Sequence, residues 1–168
     1  IFDKAFIKFI IMIDKIIKSA FYLLFFLTPL VMYPATSEIF EFNKMLYIYS
    51  TTLVIGFFWI VKMILSRQII LKKTPLDVPI ILYLVAISIS SFLSIDIHTS
   101  FFGYYGRFNG GLLSIMCYIL LFYAYVSNNI SVIKTLKWSM ASSALVVLWG
   151  LPGRFNYDLT CPTFNTIL

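Results

Sequence analysis

The sequence predicts an all-α protein, a polytopic transmembrane helical bundle of about five spans, and three observations predict it. Hydrophobic residues make up 61% of the chain and charged residues 12%, about half the charged share of a soluble domain. The charges are clustered, which leaves uncharged intervals at 19–37, 45–61, 78–95, 108–133 and 138–153. A bilayer core of about 30 Å needs roughly 17–25 helical residues, and the first four intervals meet that length. The expected spans are 19–36, 44–65, 77–94, 110–127 and 138–151, within a membrane region 19–168, with an outward loop at 95–109.

Residues 1–18 are expected to form a basic amphipathic helix. At helical spacing, Lys4, Lys8, Lys15 and Lys18 fall within about 80° of one another. Asp3 and Asp14 flank that arc, and Phe2, Phe6, Phe9, Ile10, Ile13 and Ile17 lie largely off it. Such a helix suits the anionic cytoplasmic leaflet; a charged flank of the first span is the plainer alternative.

The first span contains Pro29 and Pro34 and is expected to kink or end early, with Tyr33 near the outer interface. The second gains a turn if Lys62 snorkels to the membrane surface. The third opens on Thr74-Pro75-Leu76-Asp77, a capped helix start with Asp77 near the N-terminal amides. Its Ser88, Ser90, Ser91 and Ser94 offer hydrogen bonds to a neighbouring helix. Gly110 and Gly111 open the fourth span. The fifth is the shortest and is Ser-rich at its start.

The positive charges orient the bundle. Ten of thirteen Lys and Arg residues fall on one side of an alternating topology: Lys4, Lys8, Lys15, Lys18, Lys62, Arg67, Lys72, Lys73, Lys134 and Lys137. The other side has Lys44, Arg107 and Arg154 with Glu38, Glu41, Asp96 and Asp158. The N-terminus is therefore expected in the cytoplasm. Topology and membrane lipids account for the net charge of +6, and no nucleic-acid partner is expected. No secretory signal is visible. Cys117 lies in the fourth span and Cys161 in the tail, so no disulfide and no metal cluster is expected. The chain begins at Ile1 and stops after an irregular polar segment, and a longer protein is expected around it.

Chemistry concentrates between Ser94 and Gly111, which hold four of the seven glycines and the one histidine. Arg107 is a planar cation suited to phosphate oxygens. Gly103, Gly106, Gly110 and Gly111 let backbone amides approach an anion, and the fourth span points its dipole the same way. Phe101, Phe102, Tyr104, Tyr105 and Phe108 provide flat faces for an interfacial belt or for stacking on sugar rings. A phosphorylated, lipid-linked and glycosylated ligand fits this set. Arg107 could instead bind a lipid headgroup or pair with Asp96. Asp96-x-His98 alone does not make a site. The candidate substrate-binding residues are Tyr104, Arg107, Asn109 and Gly110; no catalytic residue, metal ligand or cofactor is assigned. Gly-Arg-Phe-Asn occurs twice, at 106–109 and 153–156.

Several segments together resemble the bacterial O-antigen ligase and polymerase family. They are Thr28-Pro-Leu-Val-Met-Tyr-Pro34, Glu38-Ile-Phe-Glu-Phe-Asn-Lys44 and Thr74-Pro-Leu-Asp-Val-Pro79. Strongest are Ser94-Ile-Asp96 and Ser100-Phe-Phe-Gly-Tyr-Tyr-Gly-Arg-Phe-Asn-Gly-Gly-Leu-Leu-Ser114. The likeness runs from about Phe21 to Val126. It implies an enzyme of the bacterial inner membrane that takes a glycan from an undecaprenyl-diphosphate carrier at the periplasmic face. The acceptor would be lipid A–core, a protein or a growing glycan, with neither nucleotide sugar nor metal required. In that family arginines hold the diphosphate and a histidine assists the acceptor hydroxyl, in a large downstream loop that this chain does not reach. His98 does not correspond to that histidine, and Arg107, by its chemistry and its side of the membrane, is the candidate contact to the diphosphate. On this reading the 168 residues have no activity alone.

Two other classes stand beside it. A non-enzymatic multi-pass protein, such as a lipid or glycan transporter or an assembly subunit, would favour inverted repeats and mid-membrane charges, and neither is evident. A metal-dependent glycosyltransferase would use Asp96 and lose activity to a chelator.

Overall fold

The computed structural model describes residues 2–32 and 41–154, with side chains from Phe6 to Pro152. Expectations placed on Tyr33, Pro34, Glu38, Asp158, Cys161 and the second tetrapeptide beyond Arg154 lie outside them. The described residues are all-helical: α1 Phe2–Leu27, α2 Glu41–Ser66, α3 Asp77–Phe92, α4 Ile97–Phe102, α5 Leu112–Ser127 and α6 Val132–Arg154, with no strand among them. The principal contacts run α6–α1–α2–α5–α3, and α4 lies against α3 and α5.

α1 joins the expected amphipathic segment to the first span. It is a single helix of 26 residues, unbroken at residue 18. Its packing nevertheless changes along its length. Ile13, Ile17, Phe21 and Leu24, at i, i+4, i+8 and i+11, are buried in the core. One turn earlier Phe6, Ile7, Phe9, Ile11 and Met12 are exposed. This buried stripe lies across the helix from the lysine arc. The helix ends before Pro29, whose missing N–H cannot continue the ladder.

α2 supplies the other half of the core through Met45, Thr52, Ile55, Gly56 and Trp59, a seam at three- and four-residue spacing. A Cβ added to Gly56 would meet the Leu120 side chain at 3.6 Å, so the glycine sits at ordinary contact distance from α5. Ser50, Thr51 and Thr52 each donate to the carbonyl four residues earlier, so these hydroxyls are satisfied within α2. The same holds for Ser88, whose Oγ donates to Leu84 O at 2.7 Å, and Ser94 donates to Asp96 O. Neither makes the interhelical bond expected from sequence.

A polar knot closes one end of the bundle. Lys62 pairs with Asp14 of α1 and donates to Asn128 Oδ1 at 2.8 Å, while Asn128 Nδ2 donates to Ala124 O. Lys62 is thus tied inward, with 12% of its side chain exposed, and does not snorkel. The segment after α2 is pinned by Lys72 N donating to Ser127 Oγ. At the start of α3, the Asp77 carboxylate accepts from the Thr74 N–H and hydroxyl and from Tyr123 OH at 3.0 Å. Thr74 is thus tied to Asp77 through its N–H and hydroxyl, although the N-cap residue itself, Leu76, makes no side-chain cap, and Tyr123 fastens this turn to α5. These contacts, with Ser142 Oγ on Phe26 O at 2.6 Å, run the five long helices alternately up and down.

Among the described residues one helix, α2, is long and apolar enough to cross a membrane. α3 and α5 are apolar but 16 residues each, shorter than the expected 77–94 and 110–127. α3 stops at Phe92 and α5 begins at Leu112, because the intervening chain folds back on itself. α6 is longer than expected, 23 residues, and takes Lys134 and Lys137 into its first turns.

Candidate functional site

The loop between α3 and α5 is built on two local devices. The first is α4, a six-residue helix within the segment 95–109 expected to be loop. Asp96 is its N-cap: the carboxylate accepts from Thr99 N at 3.2 Å and from the Thr99 hydroxyl. These bonds, first the hydroxyl and then the amide, hold the Asp96 carboxyl below the usual aspartate range. Asp96 is therefore committed to capping, which removes the reason to read it as a general base. His98 stacks on Phe102 with ring centroids 4.9 Å apart. No group of three or more His, Cys, Asp or Glu converges among the described residues.

The second device is a closed glycine turn. Tyr104 N donates to Asn109 O at 3.1 Å, and Arg107 N and Phe108 N both donate to Tyr104 O at 3.0 Å. Two glycines permit the backbone contact behind it. A Cβ on Gly103 would lie 2.3 Å from Asn109 O, and one on Gly111 would lie 2.3 Å from Gly103 N. Gly103 also has φ +94°, a conformation that side chains disfavour. Gly103 and Gly111 thus serve the close seating of the loop on itself.

That seating changes the reading of the α5 N-terminus. Gly111, Leu112 and Ser114 are buried, and the loop backbone at 101–103 lies against Gly111. The first turn of α5 is covered. The exposed residues of the turn are instead Tyr104, Tyr105, Arg107, Phe108, Asn109 and Gly110. Asn109 Oδ1 accepts from Gly110 N at 2.8 Å.

The loop rests on the first turns of α2, and here lie the partners that sequence reasoning missed. Tyr49 OH donates to Phe108 O at 2.6 Å, and the Phe42 and Phe108 rings lie 5.6 Å apart. Arg107 Nη1 stands 3.5 Å from Glu41 Oε2, each side chain 46% exposed, with the guanidinium 5.8 Å from the Tyr104 ring centre. Glu41 is therefore one partner of Arg107 that the sequence did not single out. One signal was present: the topology already placed Glu41 and Arg107 on the same side. All four proposed binding residues fall on one contiguous turn. An anion arriving at Arg107 would compete with the Glu41 carboxylate in an exposed, weakly held pair.

No protein-family model, no curated protein and no solved structure matches this chain.

Proposed function

We propose that this chain is the N-terminal membrane portion of an O-antigen ligase-like glycan transferase. It sits in the bacterial inner membrane as a bundle of about five spans, with its N-terminus in the cytoplasm and the α3–α5 loop at the outer face. The donor is a glycan on a polyprenyl-diphosphate carrier, and the acceptor is lipid A–core, a protein or a growing glycan.

The observation that carries the reading is the loop at one end of the bundle and the lysine-containing knot at the other. The Ser94–Ser114 resemblance supplies the family. Membrane residence is supported by large apolar side chains pointing outward from the helices. On α2 these include Leu53, 75% exposed, Phe57, Ile60 and Ile64, along one face at i, i+4, i+7 and i+11. Contiguous apolar surface of that kind needs lipid or protein cover.

In this role Arg107 and Tyr104 offer a cation and a flat ring to the carrier phosphates and first sugar, while the Asn109 side-chain amide offers a donor beside them and Gly110, whose N–H is held by Asn109 Oδ1, shapes the turn. Fixed cations next to a departing diphosphate stabilise the charge it develops. Glu41 holds the guanidinium in place between substrates.

The test uses the full-length protein with a polyprenyl-diphosphate glycan donor. Arg107→Ala is expected to lower transfer about tenfold or more, the loss of a charged hydrogen bond, while membrane insertion is unchanged. Glu41→Gln removes the competitor and is expected to lower the donor KM. Equal transfer by Arg107→Ala and parent takes Arg107 out of the site. A full-length protein with no transfer under any condition favours the non-enzymatic assembly or transport reading.

A further inference from the structure

The connection between α2 and α3, residues 67–76, is irregular, yet it is fastened in place. Lys72 N donates to Ser127 Oγ at 3.1 Å and Lys72 Nζ to Asn129 Oδ1 at 3.3 Å. Its last turn is tied to α5 through Asp77 and Tyr123. The side chains it turns outward are nevertheless apolar. Ile69 is 87% exposed, and Leu71, Leu76 and, just beyond, Val78 are exposed as well.

Cations stand among them. Arg67, Lys72 and Lys73 are exposed, and Lys62 and Lys72, through Asn128 and Asn129, bring the start of α6 to the same end, where Lys134 and Lys137 are exposed too. Two acids of this end are already taken up: Asp14 by Lys62, and Asp77 by Thr74, Tyr123 and the nearby charge of Lys73. The connection therefore shows positive charge beside exposed hydrocarbon. Water leaves Ile69 and Leu71 wet, and a nucleic acid answers the cations alone. A hydrocarbon core answers the side chains but not an irregular backbone, whose polar groups need water or headgroups. The boundary between acyl chains and anionic headgroups answers all three.

We propose that the α2–α3 connection is an anionic-lipid anchor: Ile69, Leu71 and Leu76 seat in the acyl layer, with headgroup phosphates over Arg67 and Lys73. The anchor lies at the opposite end of the bundle from the Arg107 loop. It rests on the proposed membrane residence and is independent of glycan transfer.

The test attaches the fluorophore NBD to Ile69→Cys in the full chain carrying Cys117→Ser and Cys161→Ser. The chain is placed in nanodiscs of equal phosphatidylglycerol and phosphatidylcholine, brominated on their acyl chains. Bromine quenching reports contact with lipid, and reduction by aqueous dithionite reports the open fraction. NBD on Leu53→Cys, an outward position midway along α2, reports membrane residence itself. Quenching at both positions is expected. The seated-to-open ratio at position 69 is expected to fall about fivefold with Arg67→Gln, and likewise with Lys73→Gln. Pure phosphatidylcholine, or salt at about 0.5 M, should lower it similarly and needs no variant to fold. No quenching at position 53 overturns membrane residence and the anchor with it. Quenching at 53 but not at 69, whether 69 is open to dithionite or covered by protein, overturns the anchor alone. Quenching at 69 that ignores lipid charge and salt overturns the anionic partner, and the proposal falls.

Discussion

Lys62 and Asp14 form an ion pair across α1 and α2, and the same ammonium donates to Asn128 at the end of α5, so one cation ties three helices. The pair is largely withdrawn from solvent on the lysine side and a third exposed on the aspartate side. Removing one member leaves the other without its partner. Asp14→Ala is expected to cost about 1–3 kcal/mol, below the range for a fully buried pair because Asp14 is partly exposed. Asp14→Leu with Lys62→Met should recover most of that loss. Reversible denaturation in mixed micelles measures both, and equal stability of Asp14→Ala and parent would mean that the pair contributes nothing.

The loop glycines should rank by mechanism. Gly103→Ala meets both a backbone clash and a positive φ, and is expected to cost about 2–4 kcal/mol. Gly111→Ala meets the clash alone, at φ −84°, and is expected to cost about 1–3 kcal/mol. Gly110→Ala has open space around it and meets only the cost of φ +80°, about 1–2 kcal/mol. Thermal melts of the three variants test the order, and Gly110 proving the most sensitive would contradict this loop geometry.

Tyr49→Phe removes one hydroxyl and leaves the ring. The loss of its bond to Phe108 O is expected to cost about 1 kcal/mol and to loosen the loop rather than the bundle. Amide exchange should therefore rise at 104–109 and stay level at the core positions of α2. A uniform rise would place the effect in the helix instead.

The Asp96 cap carries a pH signature. Its carboxyl titrates below the ordinary aspartate value of 3.8, so the folded state binds that proton less readily than the unfolded chain. The cap's stabilisation is complete above the unfolded value and is lost as pH falls through the depressed folded value. Protection of the Thr99 amide should fall as pH drops below the unfolded aspartate value, and Asp96→Asn should flatten that dependence. An unchanged profile in Asp96→Asn would assign the titration to another group.

Local patterns were legible and distant pairings were not. The apolar face of α1, its end before Pro29 and the start of α3 at Thr74–Asp77 follow from spacing and proline chemistry within a few residues. The Asp96–Thr99 cap was equally local and was missed, because the glycines around it drew the segment as loop. Asp14–Lys62 and Glu41–Arg107 join residues far apart in the chain, and sidedness narrows such partners without choosing one. The covered N-terminus of α5 was hidden for another reason. Glycine signals close backbone approach, but it does not say whether the approaching group is a ligand or the chain itself.

The bond from Ser142 to Phe26 spans 116 residues, and α1 is the principal neighbour of α6. A ribosome adding about 5–20 residues per second needs roughly 6–23 s to make that distance. For that time α1 waits with one flank uncovered. Whatever shields that flank in the meantime, whether insertion machinery or lipid, must leave when α6 arrives. Assembly is therefore a displacement step, and its rate depends on how tightly the temporary occupant holds.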